Sequence, residues 1–234
     1  MKRFYREAVE VPRDGGWQVT LDGRGVKTVG GRAQVVPTEA LAAALAAEWT
    51  GQDEEIDVAA FVLRDLADYA LDVVAPDRPA AISALLRYAE TDTLCYRADP
   101  EDALHARQVA EWEPLLAVAE ARWDVHFTRV SGIVHRPQPS QTLARLEAVI
   151  AAESDFALAA LATLANLAAS LAIGLAALAP DADVAALWRA ANLEEEWQAE
   201  LWGRDAEAEL RREQRGEVFA AAARFAALAR GERT

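Results

Sequence analysis

The chain has 234 residues, of which 53% are hydrophobic, and a formal net charge of −14 from 24 basic and 38 acidic side chains. That length supports one large or two small domains with a sizeable core, and the acidic balance argues against nucleic acid and against adhesion to anionic lipid. The charge is uneven: residues 1–36 carry seven basic and four acidic side chains, a net +3 that leaves −17 for the rest, so a basic head precedes an acidic body.

The first region reads as β. Phe4–Val11 is a strand ended by Pro12 and the Asp14-Gly15-Gly16 turn. Trp17–Leu21 alternates, Asp22-Gly23 is a hairpin turn, Gly25–Val29 returns, and Ala33–Val36 follows Gly30-Gly31. Pro37-Thr38-Glu39 opens a helix to about Gly51 with Leu41, Leu45, Ala46 and Trp49 on one face. Asp57–Val74 reads as a second helix with Leu63, Leu66, Ala70 and Val73 inward. Pro76 and Pro79 close the segment, which sets an α+β fold: a β-rich domain over 1–76 with covering helices, then an all-helical domain over 77–234.

In the helical region, Asp99-Pro100 starts a helix to about Trp123 with a kink near Pro114. Val125–Val134 is a short strand pair or loop, and helices are expected over Ser140–Ala152, Asp155–Ala179, Val184–Leu210 and Gln214–Ala229. Phe156–Ala179 has no charged residue in 24 positions, long enough to cross a bilayer. Its alanine content, its polar Thr163, Asn166 and Ser170, and its acidic flanks favour a buried central helix instead.

Within Leu187–Leu210, in which Gly203 marks a break or kink, a helix would align Leu193, Trp197 and Leu201 as a core-facing stripe. It would also align Trp188, Glu195 and Trp202, seven apart, as a second stripe in which a carboxylate sits between two large aromatics. Tryptophan with adjacent polarity suits a surface that holds a partner. Neighbouring glutamates on a helix diverge by about 100°, so Glu194, Glu195 and Glu196 cannot converge on one substrate atom.

Signs of catalysis or cofactor binding are few. Gly23-Arg24-Gly25 lacks the rest of a phosphate loop. His105, His126 and His135 fall in three separate segments, and no Glu-x-x-His pair marks a metal bundle. His105 and Gln108 read as exposed helix residues, and the single cysteine, Cys95, as a small core residue in a reducing compartment. No cofactor or metal is expected. The opening MKRFYREAVEVP has no signal-peptide core.

An ordered set of motifs runs through nearly the whole chain. It comprises Arg3-Phe4-Tyr5, Leu21-Asp22-Gly23-Arg24, Lys27-Thr28, Leu41-Ala42, Glu48-Trp49 and Gln52. It continues with Tyr88, Thr91-Asp92, Leu94, Tyr96-Arg97-Ala98, Gln108, Trp112 and Pro114, and closes with Leu193 to Gln198, Trp202-Gly203 and Glu207-Ala208. Together these resemble the assembly chaperones of the F-type ATP synthase catalytic head (the F-one ATPase) that hold its alpha subunit before it meets beta. The chain departs from the family pattern at Val29, where a proline is usual, at Val62–Ala67, and at Ala169. The resemblance implies a non-enzymatic, ATP-independent holding chaperone of the bacterial cytoplasm, with counterparts in the mitochondrial matrix. Its partner would be the alpha subunit, with no nucleic acid and no stable membrane insertion. It also implies that an acid of the Glu194–Glu196 motif matters for activity, Glu194 being the first. The client surface expected here comprises Trp188, Glu194, Glu195, Glu196, Gln198, Trp202 and Asp205, with Tyr88, Asp92 and Arg97 as secondary contacts. The rival readings are an enzyme with a site drawn from Asp92, Arg97, His105 and Glu195, and a membrane-associated assembly factor using Phe156–Ala179.

Overall fold

The computed structural model describes residues 1–132 and 135–232. It is α+β: a small antiparallel sheet followed by helices. The chain forms two compact units. The first joins Met1–Arg78 with Ser154–Ala160 and the segment from Ala221 onward; the second takes Pro79–Glu153 and Leu161–Ala220.

In the first unit, β1 (Ala8–Arg13) and β2 (Gly16–Leu21) form a hairpin paired from Ala8↔Leu21 to Arg13↔Gly16. Gly16 lies so close to the next strand that an added Cβ would sit 2.2 Å from the Val36 carbonyl oxygen. Asp22 and Gly23 both take positive φ, 48° and 80°, the two-residue primed turn that matches strand twist. They return the chain into β3 (Arg24–Gly25), while β4 (Val35–Val36) pairs with β2 as well. The strands begin and end within a few residues of the sequence expectation, except that Phe4 to Glu7 lie outside β1 and the return strand keeps only two residues. The Asp22 carboxylate accepts the Arg6 and Glu7 N–H groups and so takes that stretch out of the ladder.

Helix α1 (Glu39–Thr50) buries Leu41, Leu45, Ala46 and Trp49 as its periodicity requires, against β1 and β2. The expected Asp57–Val74 helix is three pieces: a 3₁₀ turn (Val58–Ala60), α2 (Val62–Tyr69) and a π turn (Ala70–Val74). No side chain of its own caps α2. The Glu48 carboxylate, reaching from α1, accepts the Leu63 and Arg64 N–H groups at 2.7 and 2.9 Å. The wider π turn slips the register by one, so Val74 is buried and Val73, expected inward, is 49% exposed. Asp68 and Asp72 then hold the loop carrying Lys27-Thr28. Asp68 accepts the Val29 N–H, while Asp72 accepts the Gly30 N–H and the Thr28 hydroxyl. From the later segments, Phe156 packs on Phe225, Arg78 pairs with Asp155, and the Thr38 hydroxyl donates to the Leu228 carbonyl.

The second unit comprises α3 (Arg78–Glu90) from Pro79 on, α4 (Ala103–Trp123), α5 (Ser140–Ala151) and the later helices. Trp112, Leu116, Phe127, Leu146, Ile150 and Phe219 are among its largest fully buried side chains. Pro114 lies inside α4. Two short strands, β5 (Tyr96–Arg97) and β6 (Val130–Ser131), pair in parallel. The Val125–Val134 segment therefore supplies one strand of a pair, and its last two residues, Ile133 and Val134, lie outside the described residues.

The long apolar helix expected over Asp155–Ala179 is two helices, α6 (Asp155–Ala168) and α7 (Leu171–Ala177). Ala169 takes φ 48°, and its carbonyl oxygen accepts the Thr93 N–H and hydroxyl at 3.1 and 2.9 Å. Ser170 caps the new helix through Ile173, and the Asp92 carboxylate accepts the Ala172 N–H. Among the described residues no helix is long and apolar enough to cross a membrane.

Cys95 is fully buried next to this junction. Burial, and then the nearby Asp92 carboxylate, push its thiol up to about 12, and a protonated buried thiol is unreactive. A thiol-specific chromogenic reagent at pH 8 should find no reactive group in the native chain and one after addition of denaturant. Prompt native-state labelling would show that the 92–95 segment opens readily.

Candidate functional site

The stretch expected to be one helix over Leu187–Leu210 has two breaks. Helix α8 (Val184–Ala191) ends at the buried Asn192, whose amide donates to the Trp188 carbonyl at 2.7 Å. Helix α9 (Leu193–Trp202) ends at Gly203, whose φ of +96° and ψ of 159° leave helical space. Helix α10 (Ala206–Ala229) restarts with Asp205 as its cap, one carboxylate oxygen accepting the Glu207 and Ala208 N–H groups at 2.8 and 2.9 Å. Those two bonds hold the Asp205 carboxyl below the usual carboxylate range.

The break at Asn192 undoes the Trp188–Glu195–Trp202 stripe, because a helical wheel does not count through it, whereas Leu193, Trp197 and Leu201 all lie on α9 but do not all face the core. Trp188 is on α8, its ring 5.3 Å from Phe219 and 5.5 Å from the Arg215 guanidinium. Leu193 is buried, Trp197 half-buried beneath the Arg107 guanidinium, but Leu201 is 58% exposed and Trp202 79%. A shallow groove of about 420 Å³ nevertheless collects Glu195, Gln198, Trp202 and Asp205, with the flank of α10 as its other wall. Trp188 lines a separate depression of about 440 Å³ beside Gly216, where an added Cβ would meet the indole at 2.7 Å.

The three glutamates occupy three different environments. Glu194 accepts a 2.6 Å hydrogen bond from Gln108. Gln108 is buried, not exposed as its sequence neighbours suggested: its other amide atom accepts the Ala98 N–H at 2.7 Å, and its backbone carbonyl accepts Arg97. Glu196 is clamped by Arg212 at 2.6 Å and, more loosely, by Arg204 at 3.5 Å. Glu195 has a single long contact, 3.5 Å to Arg215, between two side chains that are each about half exposed. It is the member of the triplet most open to an outside partner. The arginines at 204, 211, 212 and 215 were not singled out from the sequence. The alternation of charge beyond Gly203 was the available signal.

The secondary residues divide differently. The Tyr88 hydroxyl donates to Asn166 at 2.9 Å near the surface. Asp92 is fully buried and accepts the Leu94 and Ala172 N–H groups. The buried Arg97 guanidinium donates to the carbonyls of Leu94 and Gln108 and to Glu113 at 3.0, 2.9 and 3.2 Å. Both buried charges are therefore occupied inside the unit, so the structure does not offer Asp92 and Arg97 as surface contacts or as reactive groups with open valences. Among the described residues no group of three His, Cys, Asp or Glu is placed to hold a metal ion. The groove pairs an exposed indole with carboxylates and arginines, a chemistry suited to contact with another macromolecule.

Residues 2–120 match the family model described as ATP12 chaperone protein. The chain is 36% identical to Atp12 from Paracoccus denitrificans, over 97% of this chain and 98% of that one, with a TM-score of 0.91. The chain belongs to the ATP12 chaperone family. An aspartate-to-lysine mutant of the same Paracoccus protein matches at 36% identity, 97% coverage of each chain and a TM-score of 0.90. A putative chaperone from Agrobacterium tumefaciens is 34% identical, over 97% of this chain and 85% of that one, at a TM-score of 0.91. The resemblance to ATP synthase assembly chaperones read from the motifs thus stands, and the structure explains what many of those motifs do. Tyr5 bonds the Trp49 carbonyl, Asp22 the Arg6–Glu7 backbone, Thr28 Asp72, and Gln52 the Asp57 N–H. These are internal fastenings. Glu195 and Trp202, by contrast, are motif residues that face solvent.

Proposed function

We propose that this protein is an ATP-independent, non-enzymatic holding chaperone for the unassembled alpha subunit of the F-type ATP synthase catalytic head, acting in the cytoplasm. It covers an aggregation-prone surface of alpha through the groove between α9 and α10 until beta replaces it. The observation that carries this reading is Trp202, 79% exposed at the end of α9 beside Glu195, Gln198 and Asp205. A tryptophan left in water is unfavourable for an isolated fold, and a contact anchor for a partner makes use of it. The neighbouring carboxylates and arginines set orientation and on-rate while leaving affinity moderate enough for release. Glu194 and Glu196, tied to Gln108 and Arg212, fix the helix that presents Glu195 and Trp202. Tyr88 is the remaining secondary contact, and Asp92 and Arg97 act from behind as supports.

The test is light scattering of isolated alpha subunit diluted from denaturant without nucleotide. The wild-type chain should suppress scattering near a one-to-one ratio. Trp202→Ala and Glu195→Lys alter exposed side chains, so both should keep the wild-type melting curve. Each should require about tenfold more chaperone for the same protection, the loss of one contact anchor of roughly 1.4 kcal/mol. Full protection by both variants would remove the client surface from this groove.

A further inference from the structure

A third recess lies wholly within the first unit. It holds about 550 Å³, and its walls include the 24–29 stretch, Phe4, Tyr5 and Trp49. Its rings form a chain that continues into the core behind the lining: Phe4 to Tyr5 at 5.4 Å, Tyr5 to Trp49 at 5.5 Å, and Trp49 to the buried Phe61 at 4.5 Å. Phe4 is 62% exposed, and Val29, also in the lining, is 86% exposed. Internal packing accounts for neither of these two.

Two cations flank these apolar groups. Arg24 and Lys27 are exposed, and neither side chain has a hydrogen-bond or ion-pair partner among the described residues. The other charges lining the recess are committed. Arg64 pairs with Asp65 and stacks on Phe61, the Asp22 carboxylate faces backbone N–H groups, and Asp68 binds Gln34 and the Val29 N–H. The lining thus carries three cations, Arg24, Lys27 and Arg64, against the carboxylates of Asp22 and Asp68, a net positive charge in a chain whose net charge is −14.

We infer that this recess is a docking site for an acidic segment of the client protein that carries a large apolar side chain. The side chain packs on the Phe4–Tyr5–Trp49 floor, and carboxylates on either side of it meet Arg24 and Lys27. The inference rests on the client reading above and gives it a second foothold. Its volume is that of a site for one or two side chains, so it selects a sequence feature where the α9–α10 groove offers a broad face.

The probe is a fluorescein-labelled ten-residue peptide with one phenylalanine between pairs of glutamates, titrated by anisotropy into the full chain at low salt. It should bind, and binding should weaken as salt is raised. Lysine in place of its glutamates should abolish binding, and Arg24→Glu with Lys27→Glu should weaken it about tenfold or more. The same double variant, unchanged in melting curve, should also protect isolated alpha less well than wild type. Equal peptide binding by the double variant, or equal protection of alpha, overturns the docking site while leaving the chaperone reading in place. If wild type itself fails to protect alpha, the chaperone reading falls, and with it the client docking site. A dimer in sedimentation that the double variant dissolves would assign the recess to a second copy of this chain and overturn the proposal as well.

Discussion

Trp112→Ala should lower the unfolding free energy by about 4 kcal/mol, the upper range for emptying a packed aromatic site. Trp112 is fully buried, donates its indole N–H to the Ala190 carbonyl at 2.8 Å, and lies under the Arg97 guanidinium, 5.4 Å from the ring. Alanine removes all three functions at once: it opens a cavity, leaves a buried carbonyl without its donor, and takes the aromatic face from a buried cation. With total stability of about 5–15 kcal/mol, the variant should melt roughly 10 °C lower. Trp112→Phe should recover most of the volume term and none of the hydrogen bond. A Trp112→Ala chain within about 1 kcal/mol of wild type in urea would mean that the surroundings collapse onto the site, which the ion-paired cluster of Arg97, Glu113 and Arg129 makes difficult.

The second large effect is pH-dependent and belongs to Asp92. Burial pushes its carboxyl up from the ordinary value near 3.8 to about 6, against the opposing pull of the Ala172 N–H, Ser170 and Leu94 N–H bonds. The sign follows from proton counting. Between about 4 and 6 the folded chain holds a proton that the unfolded chain releases, so stability falls as pH rises through that window. The cost of keeping Asp92 ionised is absent below the unfolded value and fully present at neutrality. Between pH 5 and pH 7.5 this one group should change the unfolding free energy by on the order of 1 kcal/mol. Asp92→Asn abolishes that slope. At pH 7.5 it should also destabilise by about 1–3 kcal/mol, because an amide offers one acceptor oxygen where two carboxylate oxygens now receive N–H groups from different segments. Urea titrations at the two pH values decide it: parallel pH responses of wild type and Asp92→Asn would assign the slope to another group.

Much of the first unit was legible because its signals are local. Asp22-Gly23 specifies a primed turn from two residues, and α1 buries the face its spacing marks. The break at Gly203 was legible, but those at Ala169 and Asn192 were not. Ala169 leaves helical space although alanine is the best helix former, and what holds it there comes from Thr93, Ser170 and Asp92. The break at Asn192 likewise has neither glycine nor proline to announce it. Once those breaks are in place the seven-residue spacing of Trp188, Glu195 and Trp202 has no meaning, and only the latter two share a groove. Glu195, Gln198, Trp202 and Asp205 do line one groove, because Gly203 and Asp205 act locally to turn α9 into α10. Gln108 was missed for the opposite reason. Nothing in its neighbours shows that its amide links Ala98 to Glu194 inside the unit.

The three-segment make-up of the first unit bears on how the protein is synthesised. The β-sheet leaves the ribosome first, yet the Leu228 carbonyl that accepts Thr38, and the Phe225 ring that meets Phe156, leave near the end. Until then the nascent sheet has α1 as its cover but lacks the last helical segment of its own core. The second unit, by contrast, has every residue it needs once Ala220 is out. The protein thus passes through an unfinished state of its own, and stop codons in the stretch between the two units' completion points would leave a sheet that has been made but cannot be closed.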